Sequence, residues 1–291
     1  MARVLVLGGY GMLGHQLAAC LSRSHHVAVT IRERPADLPG GYPRVAVVGD
    51  VDLREVRHVR SLLGDSHWDV VVNAAGVIKH RLVERGPSDA VAINSLLPRE
   101  LASLCAGVGT RLIHFSTDCV FSGSEDSVRG PDGYRAEDTA DARDLYGLSK
   151  LLGEPDVPGS LCIRTSLIGR ELRGQHGLVE WYLRERSRQV PGFTRVWFNG
   201  LTTPVAARLV DEVITRHVTL EGLWHVGSEP VSKHTLLSML HGHFEGCASV
   251  TADGGPYCDR RLDTSAFRAV TGWKAPAWPD MIRELAIPSQ P

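Results

Sequence analysis

Two side chains four positions apart carry the plainest chemistry in the sequence: Tyr146 and Lys150, in the run Tyr146-Gly147-Leu148-Ser149-Lys150. On a helix they share one face. A phenol exchanges a proton near neutral pH only with help, and a neighbouring ammonium supplies it by favouring the phenolate. The spacing also arises by chance on amphipathic helices, so its weight depends on what lies upstream. There, Asn73-Ala74-Ala75-Gly76 and Ser116-Thr117-Asp118 each end a β-branched run, and Asn94 lies between them. At the carboxyl edge of a parallel sheet such loops line a ligand crevice. Small residues at 74–76 bring backbone close to a cofactor. Thr117 can hydrogen-bond a substrate oxygen that Tyr146 protonates.

A glycine turn sits ahead of all of these. Gly8-Gly9-Tyr10-Gly11-Met12-Leu13-Gly14 follows the first apolar run and opens a helix. Gly8 permits a tight turn, Gly11 lets backbone approach a pyrophosphate, and Gly14 allows close helix–strand packing. Tyr10, Met12 and Leu13 complete the segment facing the cofactor. The second strand ends in Arg32-Glu33-Arg34. A guanidinium fork at Arg32 and Arg34 suits a 2′-phosphate, so NADP(H) is favoured, with NAD(H) the alternative if Glu33 accepts from the ribose. Asp50, with Val51 beside it, is placed to accept from the adenine amino group, or else to cap a helix starting near Asp52.

The elements that must position these residues follow from the apolar runs. Arg3–Leu7, Val27–Ile31, Val45–Val48, Trp68–Val72, Leu112–Phe115 and Leu161–Arg164 have buried-strand length. Met12–Leu21 and Pro87–Cys105 between them read as helices. Strand–helix alternation of this kind predicts an α/β fold: a Rossmann-type doubly wound parallel sheet, covered on both faces. The pattern dominates to about residue 165. A helix at 204–217, a short strand at 223–226 and a helix from Ser232 follow, so 1–165 reads as the dinucleotide-binding domain. Residues 166–291 read as a smaller mixed α/β substrate lobe interleaved with it.

The chain has 291 residues, 43% of them hydrophobic, and a formal charge of -1. That balance excludes a globally basic nucleic-acid binder and a charged disordered chain. Six cysteines form no CxxC, and thirteen histidines form no HxxxH, so no metal is expected. No window approaches the roughly 20 apolar residues of a membrane span, and the N-terminus runs directly into a strand. The expectation is a cytoplasmic protein without nucleic-acid or membrane partners.

Taken in order, GxxGxxG, NAAG, Asn94, STD and YxxxK resemble an extended short-chain dehydrogenase/reductase. Within that superfamily Gly8–Gly14, Ser116–Gly123 (STDCVFSG), Asp144–Glu154 (DLYGLSKLLGE) and Arg164–Gly169 (RTSLIG) look most like dTDP-4-dehydrorhamnose reductases and related sugar-nucleotide reductases. The likeness covers almost the whole chain, closest up to about residue 170. It implies a triad of Thr117, Tyr146 and Lys150 with Asn94 as a relay, Tyr146 and Lys150 also touching the cofactor. Tyr146 would protonate a sugar ketone while NADPH supplies hydride. The substrate would meet Asp118, Cys119 and Val120, and Arg260 in the turn Asp259–Asp263. Lys79 is a further candidate for the sugar. Two departures stand out. Cys119 replaces an aromatic usual after STD, and the segment after Glu154 is short.

From 164 to 195 seven arginines face three glutamates, which suits a nucleotide diphosphate. The partner expected is therefore a nucleotide-sugar, with the enzyme as a homodimer. An NAD(P)-dependent epimerase is the alternative, and a catalytically silent nucleotide-binding subunit a third; intact Tyr146 and Lys150 argue against the latter.

Overall fold

The structure is a computed structural model that describes residues 1–33, 44–64, 66–127, 129–185, 188–244 and 248–287. Arg34 lies outside the described residues. Strands β1 (Arg3–Leu7), β2 (His26–Thr30), β3 (Val45–Val48), β4 (Val70–Asn73), β5 (Arg111–Phe115) and β6 (Ser160–Arg164) pair in the spatial order β3-β2-β1-β4-β5-β6. Every pairing is parallel. Alternate residues feed two cores, as a sheet covered on both faces requires. Val4, Val6, Val70 and Val72 pack on one side, and Leu5, Leu7, Val71 and Leu112 on the other. The doubly wound α/β reading of the sequence is borne out.

The chain reverses strand order between β1 and β4, so the ends of both open onto one crevice. Helix α1 (Gly14–Leu21) starts at the glycine turn, and α2 (Val56–Gly64) follows β3. The long helix expected over Pro87–Cys105 is instead three pieces. These are α3 (Leu82–Ala90), a π-helical turn (Val91–Leu96) and α4 (Leu97–Gly107). Gly86, at φ 78°, breaks α3 just before Pro87. The π turn, wider than an α turn, contains Asn94.

The strand expected at 223–226 spans Gly222–His225 and does not stay with the C-terminal elements. It pairs in parallel with β6 as the seventh strand of the main sheet. Helix α5 (Leu145–Leu152) lies between β5 and β6 in the chain, and the remaining C-terminal residues form small two- and three-stranded sheets with helices α6 (Leu178–Arg184), α7 (Thr203–Arg216) and α8 (Lys233–His243). Val205, Leu237 and Met281 share one continuous core with Val4 and Leu17. Among the described residues no helix is long and apolar enough to cross a membrane.

Candidate active site

The glycine turn is pinned to the end of β2. The Gly8 amide donates to Thr30 Oγ1 at 3.2 Å and the Gly9 amide to the Thr30 carbonyl at 2.9 Å. Gly8 has φ 89°, and a β-carbon there would meet Ala75 Cα at 3.2 Å, so the turn and the NAAG loop touch through bare backbone. A side chain on Gly14 would run into the Gly8 carbonyl. No side chain caps the start of α1; the His15 amide donates to the Gly11 carbonyl at 3.2 Å, so backbone alone shapes this turn. This is a fitting cradle for a dinucleotide pyrophosphate.

Asn73, fully buried, bends the NAAG loop. Its Oδ1 accepts from the Ala75 amide at 3.2 Å, and its amide nitrogen donates to His114 Nδ1 at 3.1 Å. Asn94 fixes the far side of the loop. Its Oδ1 accepts from the Val77 amide at 2.8 Å, and its Nδ2 donates to the Val77 carbonyl at 2.9 Å and to Ser149 Oγ at 3.0 Å. Asn94 thus clamps the cofactor loop to α5, one residue from Lys150. All the hydrogen bonds it makes here are to those two neighbours.

Helix α5 carries Tyr146 and Lys150. Asp144 caps it, accepting from the Gly147 amide at 3.0 Å. Two glycines let it sit deep. A β-carbon on Gly147 would strike the Cys119 carbonyl, and one on Gly153 the Asn94 carbonyl. Lys150 is 5% exposed, and its ammonium donates to the Phe115 carbonyl at 2.5 Å. Burial brings its pKa down to about 8, opposed by Cys162 and Glu154. The Tyr146 phenol is pushed well above its ordinary value by burial and then by Cys119, while its hydrogen bond with Thr117 works the other way. The ammonium expected to favour the phenolate is turned to the end of β5, because a desolvated cation takes the nearest strong acceptor.

Thr117 itself is buried. Its hydroxyl donates to Asp118 Oδ1 at 3.2 Å and accepts from the Cys119 amide at 3.1 Å. Burial raises the Asp118 carboxyl against the pull of Arg260, and pushes the Cys119 thiol up to about 12. Val120 is fully buried beneath the loop, in a small core with Phe121 and Tyr134, and so supports its neighbours. Arg260 reaches this loop from the C-terminal lobe. Lys79 Nζ lies 2.9 Å from Asp144 Oδ2, which ties the segment after NAAG to the start of α5. Burial opposes it, but the Gly147 amide and Lys79 together hold the Asp144 carboxyl below its usual range.

At the end of β2 the charges differ from the simple reading of the sequence. Arg32 lies 4.0 Å from Asp52, whose carboxylate is gripped by Arg54 at 2.5 Å. Arg54 also donates to Asp89 at 3.1 Å, and Arg85 stands 3.9 Å from that same carboxylate. Burial, then Arg32 and Arg81, depress the Arg85 guanidinium. Four arginines thus gather round two carboxylates, an anion-seeking excess. Arg54, Arg81 and Arg85 escape sequence reading because helix packing, not spacing, brings them there. Glu33, the alternative ribose acceptor, is engaged by Arg173 at 2.7 Å, and that arginine also lies 4.0 Å over the Tyr10 ring. Asp50 has φ 60°, and its amide donates to the Glu33 carbonyl at 3.3 Å. The helix after it begins only at Val56, so Asp50 does not cap it. Val51 is buried beside it.

Under the triad, Glu154 and Arg164 form a buried two-pronged pair, Oε1–Nε 2.7 Å and Oε2–Nη2 2.8 Å. Ser116 Oγ donates to the same Glu154 Oε1 at 2.6 Å. The end of α5, β6 and the loop bearing Thr117 are therefore locked together.

Comparison with known proteins gives a family and a fold. The family model described as the RmlD substrate binding domain matches residues 2–240. A dTDP-4-dehydrorhamnose reductase of Streptomyces griseus is 36% identical over 155 residues, which cover 53% of this chain and 44% of that protein. The spore coat polysaccharide biosynthesis protein SpsK of Bacillus subtilis is 27% identical over 238 residues, covering 79% of this chain and 75% of SpsK. The match thus spans less than half the length of the Streptomyces protein. Among solved structures, a dTDP-4-dehydrorhamnose reductase from Bacillus anthracis in complex with NADP aligns with a TM-score of 0.78 at 18% identity, over 99% of this chain and 100% of that one. At that identity the likeness speaks for the fold.

Proposed function

The chain belongs to the RmlD substrate-binding-domain family, and on that premise we propose that it is an NADPH-dependent reductase of a nucleotide-linked 4-keto-6-deoxysugar. The observation that supports this is the hydrogen bond between Tyr146 and Thr117 at the carboxyl edge of the sheet, with Lys150 one turn further along α5. The names of the relatives support the substrate class, and the arginines round Asp52 support NADP(H) over NAD(H).

Gly8, Gly11, the start of α1 and Ala74–Gly76 would hold the dinucleotide, with Lys150 at the nicotinamide ribose and Arg32 at the 2′-phosphate. The bound cofactor supplies a hydride. Tyr146 supplies the proton, its phenolic O–H donating to the ketone oxygen as that oxygen gains negative charge. High phenol basicity keeps the proton in place until then. Thr117 orients the oxygen, and Lys150 acts from the cofactor side, its ammonium anchored on the Phe115 carbonyl. Asn94 acts as a positioning residue, holding Val77 and Ser149 in register. Residues 1–165 would serve chiefly the cofactor and 166–291 the sugar nucleotide, in a cytoplasmic setting. Leu145, Leu148 and Leu152 form an exposed apolar stripe on α5, the face on which two copies would pair.

The test is to mix the purified chain with NADPH and a panel of dTDP-, UDP- and GDP-4-keto-6-deoxyhexoses and follow absorbance at 340 nm. Turnover with at least one is expected, and Tyr146→Phe should lose about a hundredfold or more. Silence across the panel overturns the activity. Turnover kept in Tyr146→Phe overturns the role of the phenol.

A further inference from the structure

Two opposite signals for the cofactor stand side by side after β2. Arg32 suits a 2′-phosphate, whereas Glu33 is an acid of the kind that accepts from a ribose 2′-hydroxyl and repels a phosphate in its place. We propose that Arg173 is a specificity-determining residue for the cofactor: supplied by the segment leading into α6, it masks the Glu33 carboxylate and so makes the end of β2 a 2′-phosphate site. This role rests on the NADP(H) reading above and names the residue that decides it.

Arg173 Nη1 donates to Glu33 Oε2 at 2.7 Å, and its guanidinium carbon stands 4.0 Å from the centre of the Tyr10 ring. Tyr10 belongs to the glycine turn, and its ring gives the guanidinium a flat seat. An exposed ion pair contributes little when both side chains must be ordered to form it. Here the ring already orders one of them.

The segment that carries Arg173 is itself held over the turn. Glu171 Oε1 accepts from the Gly177 amide at 2.5 Å, which closes the segment on itself. Arg170 Nε and the Glu171 amide both donate to Glu180 Oε1, at 2.6 and 3.2 Å, which ties it to α6. Both of its ends rest on Met12. A β-carbon on Gly169 would lie 3.0 Å from Met12 Cγ, and one on Gly177 would lie 3.8 Å from Met12 Sδ. A β-carbon on Gly174, next to Arg173, would lie 3.0 Å from Arg81 Nη2. The segment thus runs from the glycine turn to Arg81, and Arg173 is aimed at Glu33 from a braced position.

The charges then favour a phosphate. Glu33 is taken by Arg173 and Asp52 is gripped by Arg54, so neither carboxylate stands uncompensated. Removing Arg173 restores one negative charge beside the ribose, which a 2′-phosphate opposes and a 2′-hydroxyl uses as an acceptor.

The experiment is fluorescence titration of the purified chain, without sugar, against NADPH and NADH. Wild type should bind NADPH the more tightly. Arg173→Gln should lower that preference about fivefold or more, chiefly by weakening NADPH. Arg173→Lys, which keeps the charge but loses the planar fork and its stack, should fall between the two. Glu33→Gln alone should hold NADPH at or above wild-type affinity. Added to Arg173→Gln it should restore the preference, because the charge to be masked is gone. An unchanged preference in Arg173→Gln overturns this role and leaves the NADP(H) reading standing. A loss that Glu33→Gln does not relieve also overturns it, since Arg173 would then act on the phosphate directly or only brace the loop. A wild type that prefers NADH, or binds neither, removes the NADP(H) reading and this role with it. Turnover is not read, so a chain that reduces no ketosugar yet switches preference in Arg173→Gln would sink the proposed activity alone.

Discussion

Arg260 Nη1 donates to the Cys119 sulfur at 3.5 Å, while its Nε donates to the Phe121 carbonyl at 2.9 Å. A residue from near the end of the chain is thereby hooked onto the loop that carries Thr117. The guanidinium is partly occupied by backbone and sulfur, and although burial works against it, the nearby Cys119, Cys258, Asp118 and Asp144 raise its pKa.

Replacing Arg260 should therefore act on substrate affinity more than on chemistry. Arg260→Ala is expected to raise KM for the sugar nucleotide about tenfold or more, with a smaller fall in kcat and no change in NADPH affinity. Steady-state kinetics at saturating NADPH separate these effects.

Lys150 should set an alkaline limit on the proposed activity. Its folded-state pKa of about 8 means the ammonium is lost as pH rises through that value, so kcat should decline above pH 8. In stability the sign is opposite. Between about 8 and the ordinary lysine value the unfolded chain binds the proton and the folded one does not, so stability rises with pH across that window. A pH–rate profile beside pH-dependent urea melts of wild type and Lys150→Met checks both slopes. The stability slope should vanish in the variant.

His225 should govern part of the acid sensitivity. Its Nδ1–H donates to the Tyr134 carbonyl at 2.9 Å, and Arg164 lies 3.3 Å from its Nε2. Burial, then Arg164, lowers its pKa to about 4. Between the ordinary histidine value and 4 the unfolded state takes up a proton that the folded state refuses. Stability is then lost as pH falls through that window, by about 2–3 kcal/mol in all. His225→Gln should flatten the acid limb of a stability–pH curve measured by urea melts.

Gly147→Ala tests how α5 is seated. Its new methyl group would meet the Cys119 carbonyl, backbone that cannot rotate aside. A stability loss of about 1–3 kcal/mol is expected from overpacking, together with reduced kcat because Tyr146 is the preceding residue. Differential scanning calorimetry and the 340 nm assay read the two effects.

The stripe of Leu145, Leu148 and Leu152 should mediate pairing. Light scattering of wild type should give twice the monomer mass, and Leu148→Glu with Leu152→Glu should shift it to monomer without lowering the melting temperature of the subunit. A monomeric wild type would remove the homodimer reading.

Much of the fold was legible because its signals are local. Gly8–Gly14, Asn73–Gly76 and Ser116–Asp118 each follow a strand run, and Tyr146–Lys150 shows helical spacing, so all four could be found by reading forward. What was illegible depends on distant segments meeting. Arg54 and Arg85 are separated by an entire strand, and only the packing of α3 beside the end of β3 brings them to Asp89. Glu154 looked like the tail of a motif until Arg164 and Ser116 closed on it. The helix expected over Pro87–Cys105 misled because its apolar spacing survives a break at Gly86, and periodicity does not register one residue with left-handed backbone. Lys150 pointed elsewhere than expected for a similar reason, since spacing places a side chain on a face but does not choose its acceptor.

The seventh strand, Gly222–His225, joins the main sheet from far along the chain, and its His225 lies against Arg164. Cutting the gene after residue 165 would strip β6 of its outer partner, leaving β5 on one side and a raw row of amides and carbonyls on the other, inviting aggregation. Cutting and pasting modules between related enzymes should therefore fail at that seam. A workable chimera must carry residues 222–225 along with the nucleotide half, or exchange the whole chain.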